Sequence, residues 1–332
     1  MPQLPQFPPT VLPMGVVFDA DMGNELNTPL ALGLLYGLEG KSECRVISLS
    51  TTKSNLKSAA YLDVIVRFYM SATAGPIPEF RRIPGIGMSE LGWSKSDTPM
   101  LDAVLSKPEF VTGVKKFNDT AEPHALIRNM LTAQQDGNVA IVLAGPAGNL
   151  LRALELQNVP SLLEKKVKYL VTTEQALARD PASARKLFAN WPTPIYVVES
   201  GVKYPWESLD RDFAWAEGRQ PIVAGVRAAG KSMDIPAPDM AAAMYAVRPK
   251  DPAFVVGEPG NFVVSDSGKG TFTTAVDGIH RRVAVDPGKS ADLVKAYIEL
   301  VSAKPVVRTF TRRPKADAAM PPDDKKPEDI KP

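Results

Sequence analysis

Two aspartates separated by a single residue follow the first apolar run of the chain. Asp19 and Asp21 come directly after the run Gly-Val-Val-Phe at 15–18. Two carboxylates this close cannot both be buried as free anions, so the spacing favours a bound cation, a shared proton or a nest of hydrogen-bond donors. The alternative interpretation is structural: both aspartates order a loop, and Asn27 or Thr28 caps the helix that follows.

The elements that must position this pair alternate between short apolar strands and segments of helical periodicity. Strands are predicted at 15–18, 45–49, 139–143, 167–171 and 195–198, and helices at 28–39, 55–70, 147–156 and 181–189. This alternation predicts right-handed βαβ units, and the continuous apolar character of the strands indicates helices on both faces of the sheet. We therefore predict an α/β fold with an open, mainly parallel, doubly wound sheet. A closed eight-stranded barrel is the rival architecture.

Residues 253–285 continue neither the open-sheet repeat nor the barrel repeat. Their short β-type runs predict an antiparallel meander, followed by a last helix over 287–303. In open α/β sheets the ligand lies beyond the carboxyl ends of the strands, where the strand order reverses. Functional residues are therefore expected just after Phe18, Leu49, Leu143 and Val171.

The composition is that of an ordinary globular protein. The 332 residues include 39 basic and 37 acidic side chains, so no excess of positive charge indicates a nucleic-acid or membrane-surface partner. The single cysteine, Cys44, excludes an intramolecular disulfide and a cysteine-based zinc site. The sequence has neither a signal-peptide pattern nor an apolar run long enough to span a membrane. This predicts a cytoplasmic location, or export if a leader has been removed.

The two ends of the chain differ in composition from the part between them. Five prolines fall within residues 1–13, and Pro, Lys, Arg and Asp dominate from Lys304 onward. We predict one domain over 14–304, between a disordered Pro-rich tail at 1–13 and a disordered charged tail at 305–332. The glycines of 84–92 lack the spacing of a dinucleotide-binding loop, and the sequence has no Gly-Lys-Ser/Thr phosphate loop.

Several segments resemble, in order, the motifs of the inosine-uridine-preferring nucleoside hydrolases. The segment 19–25, Asp-Ala-Asp-Met-Gly-Asn-Glu, with Leu-Ala-Leu at 30–32, is similar to the opening Asp-x-Asp motif of the branch that continues Met-Gly-Asn-Asp. Gly-Pro-Ala-Gly-Asn-Leu at 145–150 and the Glu-to-Pro segment at 174–181 resemble two further motifs, and Asp239 matches a late aspartate. The resemblance spans most of the chain and implies the nucleoside hydrolase-like form of the open sheet.

The resemblance implies hydrolysis of the N-glycosidic bond of a ribonucleoside by a calcium-bound water. In this family the aspartate matching Asp21 is a calcium ligand and the base, while the aspartate matching Asp239 and the carbonyl matching Gly148 are further ligands. Asp19 is expected to support this site. The residues expected to contact the sugar are Glu174, Asn55, Asn24 and Asn149. For Glu174, Asn55 and Asn149 the alternative is a role at a helix start. The implied partner is a small-molecule riboside, and the implied assembly is a homodimer or homotetramer.

The calcium site departs from the family pattern. The two aspartates that close the opening motif are Asn27 and Thr28 here, so the candidate ligand set carries about two fewer negative charges. Calcium binding should therefore be weakened or lost. Lys53 stands where the family has an asparagine. We hypothesise that its ammonium group lies between Asp21 and Asp239 and partly replaces the charge of the metal; the alternative is that it points to solvent.

Two functions of different classes follow from these residues. The first is an N-glycosyl hydrolase in which Asp21 activates a water molecule. The second is a catalytically degenerate, metal-free protein that binds a ligand or acts as a scaffold on the same fold. The hydrolase requires a divalent ion and loses activity in Asp21→Asn, whereas the binding protein holds ribose or a nucleoside without turnover.

Overall fold

The computed structural model describes residues 12–70 and 84–305. From the amino end the elements are β1 (Met14–Ala20), α1 (Asn27–Gly40), β2 (Cys44–Thr51), α2 (Leu56–Met70), β3 (Ile86–Met88), α3 (Pro99–Leu105), α4 (Pro123–Thr132), β4 (Val139–Ala144), α5 (Gly148–Leu154) and α6 (Val159–Lys166). They continue with β5 (Val167–Thr173), α7 (Glu174–Leu177), α8 (Pro181–Asn190), β6 (Ile195–Glu199), β7 (Lys203–Tyr204), α9 (Ser208–Arg211), α10 (Pro221–Ala229), β8 (Ile235–Pro236), α11 (Pro238–Val247), β9 (Phe254–Val256), β10 (Gly260–Val264), β11 (Gly270–Thr274), β12 (His280–Val285) and α12 (Ser290–Val301). The predicted tails at 1–13 and 305–332 fall almost entirely outside the described residues.

The main sheet is open, and most of its neighbouring strands are parallel. Its order is β11-β10-β12-β6-β5-β4-β1-β2-β3, and β9 also pairs with β12. The strands from β12 to β3 in this order are joined by parallel pairs, whereas β9, β10 and β11 are joined by antiparallel pairs. The predicted open, doubly wound sheet with a C-terminal antiparallel meander is confirmed. One strand differs: β12, at the end of the predicted meander, lies parallel beside β6.

Side chains of β1 alternate between two hydrophobic clusters, one on each face of the sheet. Val16 and Phe18 belong to the cluster that includes residues of α1, α2, α11 and α12. Val17 belongs to the cluster that includes residues of α4, α5, α6 and α8. The helix α1 is buried along 27–38 because both α11 and α12 pack against it. None of the described helices combines the length and apolar character needed to cross a membrane.

The strand order reverses at β1, which lies between β2 and β4. The carboxyl ends of β1 and β4 meet closely, since the backbone N–H of Asp21 donates to the carbonyl of Ala144 at 3.1 Å. Gly145 permits this approach, because a Cβ atom there would lie 2.6 Å from the Asp21 nitrogen. The segments after β1 and β4 are therefore brought together where a ligand is expected in such a sheet.

His280 ties the β10–β11 hairpin to the sheet as a neutral imidazole. Its Nδ1 accepts the backbone N–H of Phe262 at 2.9 Å, and its ring meets Phe188 edge to face with centroids 5.0 Å apart. Burial lowers the pKa of His280 below its ordinary value of 6.5. The unfolded chain therefore takes up this proton at a higher pH than the folded chain does. The contribution of His280 to stability is present above about pH 6.5 and is lost as the pH falls.

We expect His280→Gln to remove this part of the pH dependence. Urea unfolding at about pH 8 and about pH 5.5 should show a smaller loss of stability on acidification in the variant than in the unmodified protein. Val111→Ala, at a position 67% exposed between α3 and α4, carries no titratable change and is the control; it should leave the pH dependence unchanged. An identical pH dependence in His280→Gln and the unmodified protein would contradict the prediction.

Candidate functional site

Asp21 is completely buried just beyond the carboxyl end of β1, and its two oxygens accept four hydrogen bonds. The Asn24 amide donates to both oxygens, at 2.9 and 2.8 Å. The Arg179 guanidinium donates to Oδ2 at 2.5 Å, and the Trp93 indole donates to Oδ1 at 3.2 Å. Burial raises the pKa of Asp21, and the positive charge of Arg179 acts against that rise. The residue predicted to be the base is thus held by donors from the chain itself.

Arg179 reaches Asp21 from the segment that follows β5, and β4 lies between β5 and β1 in the sheet. Thr173 caps the four-residue helix α7, and Arg179 lies just after that helix. One guanidinium nitrogen pairs with Asp21, and the other pairs with Glu25 at 2.6 Å. Sequence reasoning missed this contact, although Arg179 lies inside the Glu-to-Pro motif at 174–181. Membership of that motif is the only signal in the sequence that could have indicated it.

Lys53 is also buried, so the alternative that it points to solvent is wrong. Its ammonium group donates to the side-chain carbonyl of Asn24 at 3.0 Å and therefore supports Asp21 indirectly. Burial lowers the pKa of Lys53, and the negative charge of Asp21 opposes this effect. The hypothesis that the ammonium group lies between Asp21 and Asp239 stays a prediction, because the hydrogen bond that the structure gives it is to Asn24. The cation in direct contact with Asp21 is Arg179.

Asn27 and Thr28 join the first turn of α1 to the first turn of α11. The Thr28 hydroxyl donates to Oδ2 of Asp239 at 2.6 Å, and the Asn27 side-chain carbonyl accepts the Asp239 backbone N–H at 2.7 Å. Burial raises the pKa of Asp239 to about 6, while the Thr28 hydrogen bond and the charge of Arg179 act to lower it. The three residues predicted as ligands are adjacent, but they are engaged with one another.

Asp19 is held by two neutral donors on one of its oxygens. Ser50 and Asn149 donate to Oδ1 at 2.6 and 2.9 Å, whereas Oδ2 is buried without a hydrogen-bond partner. Burial raises the pKa of Asp19 to about 6. The Asn149 amide also donates to the carbonyl of Thr51 at 3.1 Å. Asn149 therefore links β1, β2 and α5, and its amide group is used within the protein.

Three other predicted site residues lie at or next to helix starts and make their contacts there. The Asn55 side-chain carbonyl accepts a backbone N–H of the first turn of α2 at 2.8 Å, and its amide donates to Asp97 at 2.7 Å. Glu174 begins α7 and pairs with Arg282 at 3.3 Å. Gly148 is the first residue of α5. These positions agree with the alternative interpretation of Asn55 and Glu174, a role at a helix start. Contacts of these residues with a sugar stay predictions.

The side chains around Asp21 do not form a set of ligands that fits a calcium ion. Calcium requires several oxygen ligands with free lone pairs and is favoured by negative charge. Here the oxygens of Asp21 accept hydrogen bonds from Asn24, Arg179 and Trp93, and the guanidinium adds a positive charge beside them. Across residues 12–70 and 84–305, no group of three or more His, Cys, Asp or Glu side chains is arranged to hold a metal ion.

Trp93 forms part of the outer wall of this cluster. It lies in the loop after β3, where its backbone N–H donates to the carbonyl of Thr52 at 3.0 Å. With its indole nitrogen bonded to Asp21, 41% of the Trp93 surface remains exposed. An exposed indole with a fixed edge offers a flat face to an aromatic ligand. Sequence reasoning missed Trp93, because a single tryptophan in a loop carries no periodic or motif signal.

Comparison with solved structures finds the same fold at low sequence identity. A plant nucleoside hydrolase, the PpNRh1 enzyme, matches with a TM-score of 0.66 and 15% identity, covering 88% of this chain and 99% of its own. An inosine-guanosine nucleoside hydrolase gives a TM-score of 0.59 and 16% identity, with 86% and 98% covered. The type III effector protein XopQ, complexed with adenosine diphosphate ribose, gives 0.61 and 10% identity, with 89% and 95% covered. No protein-family model and no curated protein matches the sequence. The protein therefore has a nucleoside hydrolase-like fold.

Proposed function

We propose that this protein binds an N-riboside, such as a nucleoside, without a divalent cation and without cleaving the glycosidic bond. The observation that carries the proposal is the saturation of Asp21 by donors from Asn24, Arg179 and Trp93. The ligand class is supported by the fold, since similar structures include nucleoside hydrolases and an effector complexed with adenosine diphosphate ribose.

Because both oxygens of Asp21 already accept hydrogen bonds, this carboxylate is poorly suited to activate water. A general base must lie within hydrogen-bond reach of the water and have a lone pair free for its proton. Arg179 occupies Oδ2 of Asp21, and its positive charge weakens the affinity of that carboxylate for a proton. Asn27 and Thr28 are bonded to Asp239 and so do not add free ligands for a metal-bound water.

The outer side of the same cluster is suited to binding. Trp93 exposes a ring on which a nucleobase can stack, next to the buried Asp21. The Glu25 side chain is 38% exposed; one of its oxygens pairs with Arg179, and the other faces no such partner among the described residues. That oxygen is an acceptor of the kind that a ribose hydroxyl needs.

A metal-dependent hydrolase is the second candidate, favoured by the three aspartates retained at one edge of the sheet. Asp19, Asp21 and Asp239 are all buried there, and burial raises the pKa of Asp19 and of Asp239 to about 6. Burial also raises the pKa of Asp21, the base of this candidate, and a base is more effective when its pKa lies nearer the working pH. This activity requires that a cation displace Arg179 from Asp21. The homodimer or homotetramer stays a prediction from the resemblance.

Calorimetric titration with inosine, uridine and adenosine diphosphate ribose separates the two candidates. Each titration is made once with a chelator and once with millimolar calcium, and release of free base is followed by chromatography. We expect binding of at least one of these ribosides with equal affinity in both buffers and no released base. Trp93→Ala should weaken this binding by about tenfold or more, because stacking of a base contributes about 1–3 kcal/mol, while Trp93→Phe should retain most of it.

The control for the Trp93 variants is Val276→Ala, at a position 98% exposed in the turn between β11 and β12. This substitution should leave the affinity unchanged. Calcium-dependent release of free base that disappears in Asp21→Asn would overturn the proposal in favour of the hydrolase. Failure to bind any of the three ribosides in chelator would also contradict it.

A further inference from the structure

Arg179 brings a permanent positive charge to a group of carboxylates at the edge of the sheet. Its guanidinium contacts Asp21 at 2.5 Å and Glu25 at 2.6 Å. We propose that Arg179 is the built-in counter-ion of this site and the residue that makes it exclude divalent cations. This proposal rests on the metal-free function proposed above.

The geometry of the guanidinium explains why an arginine can hold this position. Its planar fork directs one nitrogen to Asp21 and the other to Glu25, which a single ammonium group does less well. Asp21 is fully buried and the Arg179 side chain is mostly buried, so solvent screens their attraction little. A divalent cation approaching Asp21 would meet an occupied Oδ2 and electrostatic repulsion from the guanidinium.

Position 28 is where an additional anionic oxygen would favour the binding of a cation. Its hydroxyl lies 2.6 Å from Oδ2 of Asp239, and both residues are buried. A carboxylate at position 28 would put two anionic oxygens side by side, which is unfavourable unless a cation binds to them. In the present chain the hydroxyl donates a hydrogen bond and needs no cation. The exclusion of divalent cations should therefore be reversed by changing Arg179 and Thr28 together.

The test compares calcium binding by Arg179→Gln/Thr28→Asp with that of a matched control, Arg185→Gln/Thr28→Asp. The control has the same change of composition and net charge but keeps Arg179, because Arg185 lies on α8 and pairs with the exposed Asp266. Calcium is titrated by calorimetry, and thermal unfolding is measured with and without it. We expect the first variant to bind calcium with a Kd of about 10⁻⁴–10⁻³ M and to unfold at a higher temperature in calcium. The control and the unmodified protein should do neither.

The second measurement uses the single variant Arg179→Gln, and it tests the proposal if the double variant does not fold. Calcium should raise its unfolding temperature at concentrations that leave the unmodified protein unchanged, because Asp21 and Glu25 regain a cation. A folded double variant that does not bind calcium, or an Arg179→Gln variant whose unfolding temperature calcium leaves unchanged, would overturn the proposal. Calcium binding by the unmodified protein would instead contradict the metal-free function, so the two failures are distinguishable.

Discussion

Arg179→Ala is expected to lower the free energy of unfolding at neutral pH by about 3 kcal/mol. The substitution leaves Asp21 buried without its positive partner, and an unpaired buried anion is strongly destabilising. The pKa of Asp21 rises further in the variant, because the charge that opposed the effect of burial is gone. The folded variant then binds a proton that the unfolded chain has lost. The loss of stability should therefore be largest above neutral pH and should shrink as the pH falls.

Urea unfolding at about pH 7.5 and about pH 4.5 measures this effect. Asp21→Asn/Arg179→Ala removes both charges and should recover much of the stability that Arg179→Ala loses. Arg185→Ala breaks only an exposed ion pair with Asp266 and should change the free energy of unfolding by less than about 0.5 kcal/mol. An equal loss at both pH values in Arg179→Ala would indicate lost packing and would contradict the electrostatic explanation.

Asp19→Asn is expected to stabilise the protein at neutral and alkaline pH. Oδ2 of Asp19 is buried without a partner, and burial raises the pKa of this carboxyl from 3.8 to about 6. At pH values between these two pKa values, the folded chain holds a proton on Asp19 that the unfolded chain has lost. The stabilising contribution of the protonated group is therefore present below about pH 4 and is lost as the pH rises through about 6. The whole loss is at most about 3 kcal/mol, since one pKa unit corresponds to about 1.4 kcal/mol.

An asparagine at position 19 keeps an acceptor for Ser50 and Asn149 but carries no charge. The variant should therefore be more stable than the unmodified protein above about pH 6 and similar to it near pH 4. Chemical denaturation across this range is the measurement, and Asp277→Asn, at an exposed position in the turn before β12, is the control. Destabilisation by Asp19→Asn at every pH would mean that the charged form is stabilised by its surroundings.

The strands that form the centre of the sheet could be predicted because each is a continuous apolar run. The predicted run 139–143 is β4, Val139–Ala144, and the run 195–198 is β6, Ile195–Glu199. The strand β3, Ile86–Met88, escapes prediction because it has only three residues, with a glycine in the middle, and carries no detectable periodicity. The order of the strands cannot be predicted in the same way, since the pairing of β4 with β1 joins segments that are far apart in the chain.

The carboxylates of the site could be predicted, but the cation beside them could not. Asp19, Asp21 and Asp239 are identified by their spacing and motifs, and the structure buries all three. Lys53 is the expected cation because it stands where the resembled family has an asparagine, yet Arg179 makes the direct contact. Arg179 could not be predicted as this cation because it follows α7. A helix of a single turn gives no periodic signal, so the sequence does not indicate the direction of the chain after it.

The burial of α1 along 27–38 has a consequence for the newly made chain. This helix is apolar around most of its circumference, and its first turn is joined to α11 by the contact of Thr28 with Asp239, 211 positions later. At a synthesis rate of about 5–20 residues per second, α1 leaves the ribosome roughly 10–40 s before the helix that covers it. Throughout that interval its apolar surface lacks its native partner. A chain arrested or truncated before α11 is therefore expected to aggregate more readily than a chain that includes this helix.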